Sequence, residues 1–151
     1  ALIDGVRFVN DSQGTQPDAV IAALHAFDRP IVLIAGGRDK GVDLQELATV
    51  VAERAAAAVV IGESGPRLEA LFRAAGLTTV ERADTMDGAV TTADALAREA
   101  LSAGGTERGP ATVLLSPAAA SFDMFVDYAA RGAAFKAAVA ALASRSGGGH
   151  R

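Results

Sequence analysis

The chain has 151 residues, of which 50% are hydrophobic, a formal net charge of -4 and no cysteine. This length fits one domain with a sizeable core, the acidic balance argues against a nucleic-acid binder, and the lack of cysteine excludes disulfides and thiolate metal sites. No apolar run approaches the roughly 20 residues of a membrane span, and the first residues lack a signal-peptide pattern. We therefore expect a cytoplasmic protein that neither binds nucleic acid nor inserts into a membrane.

Predicted strands and helices alternate along the chain. Asp4-Gly5 between apolar residues is typical of a hairpin turn. Because so few residues precede it, we expect the chain to begin inside a hairpin and to be a piece of a longer protein. Pro17 and Asp18 are typical of the first turn of a helix. Further strands are predicted at 31–35, 58–61, 77–81 and 112–115, and helices at 17–26, 44–54, 65–75, 85–101 and 121–142.

This alternation predicts an α/β fold that is Rossmann-like and doubly wound, with a mostly parallel sheet and helices on both faces. One folded domain is expected over residues 1–143. The glycine-rich residues 144–151 are expected to form a disordered tail. No metal site is predicted, because His25 and His150 are far apart in sequence and show no ligand spacing.

Three polar segments, residues 10–16, 36–41 and 116–123, each follow a predicted strand. In a doubly wound sheet they emerge at the same carboxyl edge, so they are expected to share one ligand. Lys40 offers an ammonium group there, and lysine is scarce in a chain with 14 basic residues, since only Lys40 and Lys136 are lysines. The hydroxyl groups of these segments belong to Ser12, Thr15, Ser116 and Ser121. Together with amide groups at a helix start, these groups suit an anion.

Each of these residues also has an ordinary structural interpretation. Thr15 and Ser121 are typical helix caps, Asp11 is typical of a turn, and Lys40 is equally well explained as a solvated loop lysine. The sequence contains no phosphate-loop, dinucleotide-binding or nucleophile-elbow pattern. The residues alone therefore predict an anion-binding α/β domain without a complete catalytic set.

The polar segments resemble those of one known family. Val9–Ala19, Gly36–Gly41 and Leu114–Phe125, the last continuing to Arg131-Gly132 and Phe135, are similar to motifs in the carboxyl-terminal domain of the Mur ligases. The resemblance runs from about Asp4 to Ala143 in matching order and spacing, and the S-P-A-x-A-S-x-D-x-F segment is its most specific part. The Asp-Asn-Pro-Arg motif of the members that add a diamino acid is absent. Within the family, the three stretches most resemble the members that add D-glutamate.

The resemblance implies the third domain of an ATP-dependent amide ligase of peptidoglycan synthesis. In that reaction the carboxylate of UDP-N-acetylmuramoyl-L-alanine becomes an acyl phosphate, which the amine of D-glutamate attacks. ATP and Mg²⁺ are implied to bind mainly to a central domain outside this chain. The present domain is implied to bind D-glutamate and close over ATP, to contain no catalytic residue, and to be inactive in isolation.

Site residues are carried over by motif. Those implied to bind D-glutamate are Thr15, Lys40, Ser121, Phe122 and Tyr128, with Thr15 and Lys40 on one carboxylate and Ser121 with the backbone of Phe122 on the other. Tyr128 stands where the family usually has an aromatic residue beside the amino acid. The residues implied to lie near the nucleotide are Asn10, Asp11 and Ser12.

The sequence departs from the family at Gln13 and Gln16, where the family often has lysine and asparagine. No phosphate contact is therefore assigned to Gln13. Two alternatives to the ligase interpretation remain open. The first is a free-standing module that binds a small anion in the same pocket. The second is a domain like that of folylpolyglutamate synthase, which shares the fold and also handles glutamate.

Overall fold

A computed structural model describes residues 2–12, 14, 16–28, 30–37, 41, 43–104, 110–118 and 128–149. The strands are β1 (Leu2–Ile3), β2 (Val6–Asn10), β3 (Ile31–Gly36), β4 (Ala57–Ile61), β5 (Val80–Arg82) and β6 (Ala111–Leu115). The helices are α1 (Pro17–Ala26), α2 (Gln45–Arg54), α3 (Gly65–Ala75), α4 (Met86–Gly104) and α5 (Tyr128–Gly149). Strands and helices alternate as the sequence predicts.

Within these residues the six strands form one sheet in the order β1-β2-β6-β3-β4-β5. The β1–β2 pair is antiparallel across the Asp4-Gly5 turn, and every other pair is parallel. The predicted hairpin and the mostly parallel, doubly wound α/β sheet are therefore confirmed. The order places β6, the last strand of the chain, between β2 and β3, so the three strands that end in polar segments are neighbours.

Hydrophobic side chains pack on both faces of the sheet. Along β3, Val32 and Ile34 face a core with α4 and α5, whereas Leu33 and Ala35 face a second core with α1, α2 and α3. A strand that is covered on both faces has no polar side, which explains the uninterrupted apolar run of β3. The expectation of helices on both faces is confirmed.

Strand β5 is shorter than predicted and begins at Val80 rather than residue 77. Gly76 adopts a left-handed conformation, with φ of 117°, and ends α3. The amide of Leu77 then donates to the carbonyl oxygen of Phe72 at 3.0 Å, and the side chain of Leu77 is buried. Residues just after α3 are thus used to close the helix, and strand pairing starts only beyond them.

Helix α5 continues to Gly149, whereas the sequence leads us to expect a disordered tail from residue 144. Val139 and Leu142 are buried in the core, but Ser144 and Arg145 are exposed. The alanine-rich helix therefore extends beyond its packed part. Once nucleated, a helix gains one hydrogen bond for each residue that it adds, which accounts for this extension.

His25 lies exposed in the last turn of α1. Over the described parts of the chain, none of the helices combines the length and the apolar character needed to cross a bilayer.

Candidate functional site

The candidate site lies at the carboxyl edge of β2, β6 and β3. Asn10 of β2 and Ile34 of β3 both pair with Leu115 of β6, so the three strands end side by side. Their loops therefore leave the sheet at one place, which is where open α/β sheets bind ligands.

The loop after β2 is tied to the loop after β6. The amide of Asp11 donates to the carbonyl oxygen of Leu115 at 2.8 Å. The amide of Ala118 donates to the carbonyl oxygen of Gly14 at 2.9 Å. The buried hydroxyl of Ser116 donates to Oδ2 of Asp11 at 2.8 Å. A hydrogen bond to a carboxylate is stronger than one between neutral groups. The carboxylate of Asp11 is therefore held in one orientation while it stays partly exposed.

The loop after β6 is tied in turn to the end of β3. The amide of Gly36 donates to the carbonyl oxygen of Pro117 at 2.9 Å. Gly36 has φ of 126°, and a Cβ atom there would lie 1.9 Å from the carbonyl oxygen of Ile61 in β4. Only glycine fits this approach of two backbones. The position of the segment that leads to Lys40 is therefore set where β3 ends.

Ser64 holds the next residue of that segment. Its hydroxyl accepts a hydrogen bond from the amide of Gly37 at 3.1 Å, and its own amide donates to the carbonyl oxygen of Gly37 at 2.8 Å. Ser64 is buried and precedes α3, but its hydroxyl does not cap that helix. No role for Ser64 at this site was predicted from the sequence. A serine in the short turn between a buried strand and a helix is the signal that could have suggested this role.

Arg131 anchors the loop after β2 from the opposite side. Its Nε donates to the hydroxyl oxygen of Ser12 at 3.1 Å, and its Nη2 donates to the carbonyl oxygen of Ser12 at 2.8 Å. The residue is only 1% exposed, although it is an arginine in α5. From the sequence, Arg131 belongs to the family resemblance but no role for it was predicted. That resemblance was the available signal.

A cleft of about 440 Å³ opens between this loop and α5. Its lining residues are Asn10, Asp11, Ser12, Ala129, Gly132, Ala133 and Lys136. The helix presents small residues there, so the cleft stays open. Among the described residues, Asp11 contributes a carboxylate and Lys136 an ammonium group. The cleft can therefore hold a ligand that carries both hydroxyl groups and negative charge.

The predicted nucleotide-proximal residues are consecutive in the chain, and all of them face the same cleft. Asn10, Asp11 and Ser12 line one cleft. Tyr128 is the first residue of α5, and its side chain lies outside the description. The other predicted D-glutamate residues, Thr15, Lys40, Ser121 and Phe122, lie outside the described residues, as does Gln13. Within the described ranges, no three histidine, aspartate or glutamate side chains form a group that could hold a metal ion.

Known structures share this fold. Crystal structures of Mycobacterium tuberculosis folylpolyglutamate synthase complexed with ADP and AMPPCP match with a TM-score of 0.53 and 19% sequence identity. The match covers 82% of this chain and 28% of that chain. At this identity the likeness establishes the fold.

Curated relatives are more similar in sequence. UDP-N-acetylmuramoylalanine--D-glutamate ligase of Pelotomaculum thermopropionicum is 44% identical over 142 residues, which are 94% of this chain and 29% of the relative. The enzyme of the same name from Ralstonia nicotianae is 45% identical over 147 residues, which are 97% of this chain and 27% of the relative. The chain thus spans less than a third of the length of these relatives. The family model described as "Mur ligase, glutamate ligase domain" matches residues 1–119. The chain therefore belongs to the Mur ligase family, as its carboxyl-terminal, glutamate ligase domain.

Proposed function

We propose that this chain is the D-glutamate-binding domain of a cytoplasmic ligase that joins D-glutamate to UDP-N-acetylmuramoyl-L-alanine in peptidoglycan synthesis. The observation that carries the proposal is the junction of three strand-end loops by hydrogen bonds at the carboxyl edge of β2, β6 and β3. The names of the relatives supply the substrate. A site of this kind suits a small ligand that must be held from several sides.

D-Glutamate carries two carboxylates and therefore needs two sets of donors. In the proposal, Lys40 and Thr15 bind one carboxylate, and Ser121 with the amide of Phe122 binds the other, with Tyr128 beside the amino acid. The segments that carry these residues follow β3, β2 and β6, which are adjacent in the sheet. This adjacency supports a single ligand between them, because each segment starts within reach of the next.

ATP is proposed to lie against Asn10, Asp11 and Ser12 when this domain closes over it. The fixed carboxylate of Asp11 and the amide of Asn10 suit the hydroxyl groups of a ribose. The crystal structures of folylpolyglutamate synthase with ADP and AMPPCP are consistent with nucleotide use by proteins of this fold. Mg²⁺ and the phosphate groups are assigned to a central domain of the longer protein. Mg²⁺ would supply neutralisation of the phosphate charge there.

The test is Lys40→Ala in the full-length ligase. We expect D-glutamate binding to weaken by about 1.5 to 3 kcal/mol, roughly ten- to a hundredfold, because a charge-assisted hydrogen bond is lost. The KM for ATP should stay within about twofold, and L-glutamate should be a poor substrate for both proteins. Arg145→Ala is the matched control, because it removes an exposed cation from the end of α5. An unchanged KM for D-glutamate in Lys40→Ala would overturn the assignment.

Two other functions give different results in the same assays. A free-standing anion-binding module would bind D-glutamate as the 151-residue chain, and no longer ligase would depend on it. A folylpolyglutamate synthase-like domain, which would have the same fold, would support amide formation on a folate acceptor rather than on UDP-N-acetylmuramoyl-L-alanine. The ligase proposal expects neither ATP hydrolysis nor amide formation by the isolated chain, so turnover by the purified chain would contradict it.

A further inference from the structure

We propose that Arg131 is a positioning residue that fixes the loop after β2 and so sets the shape of the nucleotide cleft. The inference rests on the proposed function for the identity of the ligand. Arg131 is not among the residues that line the cleft. It contacts the cleft through Ser12, which does line the cleft and to which it donates two hydrogen bonds.

The guanidinium group of Arg131 is buried. Removing a charged group from water is unfavourable unless hydrogen bonds replace the lost hydration. Arg131 is 1% exposed and Ser12 is 5% exposed. Two nitrogens of the planar guanidinium donate to two different oxygens of Ser12, at 3.1 and 2.8 Å. Such a fork fixes both the side chain and the backbone of Ser12, which a single point donor such as lysine does not do.

The residue that follows Arg131 also contacts the loop after β2. The carbonyl oxygen of Gly132 accepts from Nδ2 of Asn10 at 3.5 Å, and Oδ1 of Asn10 accepts from the amide of Ser12 at 3.1 Å. A Cβ atom at Gly132 would lie 3.0 Å from Nδ2 of Asn10 and 3.3 Å from Cβ of Ser12. The loop and α5 are therefore in close contact at Gly132 as well as at Arg131.

These contacts also position the carboxylate of Asp11, which lines the cleft. Asp11 lies between Asn10 and Ser12, and its Oδ2 is held by Ser116 from the β6 side. Arg131 holds the same loop from the α5 side, so the carboxylate of Asp11 is positioned from two directions. Loss of the Arg131 contact would release one of them. A displacement of about 1 Å in a positioning group can lower a rate by about a hundredfold.

The test compares Arg131→Met and Arg131→Lys in the full-length ligase, with Arg145→Met on the exposed part of α5 as the matched control. For Arg131→Met we expect kcat/KM for ATP to fall by about a hundredfold, while the KM for D-glutamate stays within about twofold. Arg131→Lys should have a kcat/KM for ATP that is lower than that of the wild type, by about tenfold, with an unchanged KM for D-glutamate, because it keeps the charge but only one of the two contacts. Arg145→Met should leave both constants unchanged.

A purely structural role gives another pattern. In that case Arg131→Met would lower the thermal midpoint or the active fraction, with no separation between ATP and D-glutamate, and the inference would be overturned. If Arg131→Met does not fold, the separation between the two substrates is measured on Arg131→Lys, and its absence would overturn the inference equally.

A measurement on the 151-residue chain separates this inference from the proposed function. Arg131→Met should speed amide hydrogen exchange at Ser12 and Gly14 at least about tenfold relative to Arg145→Met, because the loop loses its anchor. If the wild-type ligase does not bind ATP but this acceleration is seen, the proposed function fails while the anchoring role of Arg131 stands. Unchanged exchange at Ser12 would show that Arg131 does not hold the loop, whatever the ligand is.

Discussion

The two halves of the carboxyl edge of the sheet are built differently. At β2, β6 and β3 the loops are joined by backbone hydrogen bonds and by the buried side chains of Ser12, Ser116 and Arg131. On the side of β4 and β5, apart from the buried contact of Ser64 with Gly37, the polar side-chain contacts include surface ion pairs, in which Arg73 and Arg82 both contact Glu69. Buried polar groups must find defined partners, whereas surface ion pairs are solvated and weak. Fixed geometry is therefore concentrated in the half that we assign to the ligands.

The largest effect is expected from Gly36→Ala, at the end of β3. The added Cβ atom would lie 1.9 Å from the carbonyl oxygen of Ile61, and a positive φ of 126° is itself unfavourable for alanine. Since Ile61 belongs to a paired strand, relief would require separation of β3 from β4. We expect a loss of more than about 3 kcal/mol in the free energy of unfolding, measured by urea denaturation.

Gly76→Ala is the matched control for this substitution. Gly76 also has a positive φ, of 117°, but a Cβ atom there meets nothing within 4 Å. The expected loss is about 1 to 2 kcal/mol, which is the conformational strain alone. Equal losses of stability for the two variants would mean that the clash between the added Cβ atom at position 36 and the carbonyl oxygen of Ile61 does not add to the destabilisation.

The same contrast explains how much the sequence could predict. The hairpin, the parallel strands and the helices were predictable because turn residues and apolar periodicity are local signals. Strand β5 was misplaced because the closure of α3 after Gly76 uses the residues that would otherwise begin the strand. The extent of α5 to Gly149 was missed because glycine content suggested disorder, whereas the preceding alanines favour a helix.

The candidate site was predictable only in part. The three polar segments could be grouped because parallel strands share one carboxyl edge. The roles of Ser64 and Arg131 could not be found in this way, because their partners are distant in sequence: 27 residues separate Ser64 from Gly37, and 119 separate Arg131 from Ser12. Such contacts depend on the tertiary arrangement, which places β4 beside β3 and packs α5 against β2. The ligand roles of Thr15, Lys40, Ser121 and Phe122 stay predictions.

The next effect in size is expected from Ser116→Ala in the loop after β6. The substitution removes a buried donor to the carboxylate of Asp11, a hydrogen bond of 2.8 Å. Hydrogen bonds to charged groups contribute about 1.5 to 3 kcal/mol, so unfolding measurements should show a loss in that range. Ser102→Ala, at an exposed position of α4, should change stability by less than about 0.5 kcal/mol. A Ser116→Ala variant as stable as Ser102→Ala would argue against a fixed Asp11.

A smaller effect is expected from Ser64→Ala, which leaves the buried amide of Gly37 without its side-chain acceptor. We expect a loss of about 1 to 2 kcal/mol in stability. In the full-length ligase the KM for D-glutamate should rise severalfold while that for ATP stays constant, because Gly37 begins the segment that carries Lys40. A parallel rise in both KM values would mean that Ser64 stabilises the whole carboxyl edge and does not act specifically on D-glutamate binding.

The smallest effect is expected at the other half of the edge, from Glu69→Gln. Hydrogen bonds from Arg82 and then Arg73 hold the pKa of Glu69 below its ordinary value. A carboxyl whose pKa is lower in the folded state stabilises the fold above its unfolded pKa, and this contribution disappears as the pH falls through the folded pKa. The thermal midpoint of the wild type should therefore exceed that of Glu69→Gln slightly at pH 7. The difference should begin to fall as the pH drops below the ordinary glutamate pKa of about 4.3, disappear below the lowered pKa of the folded state, and shrink in high salt. Glu81→Gln, an exposed substitution on β5, should show no such trend. If the difference in thermal midpoint between the wild type and Glu69→Gln persisted in acid and in high salt, the ion pairs of Glu69 would not be weak surface contacts. They would then hold a fixed geometry as the buried contacts at β2, β6 and β3 do.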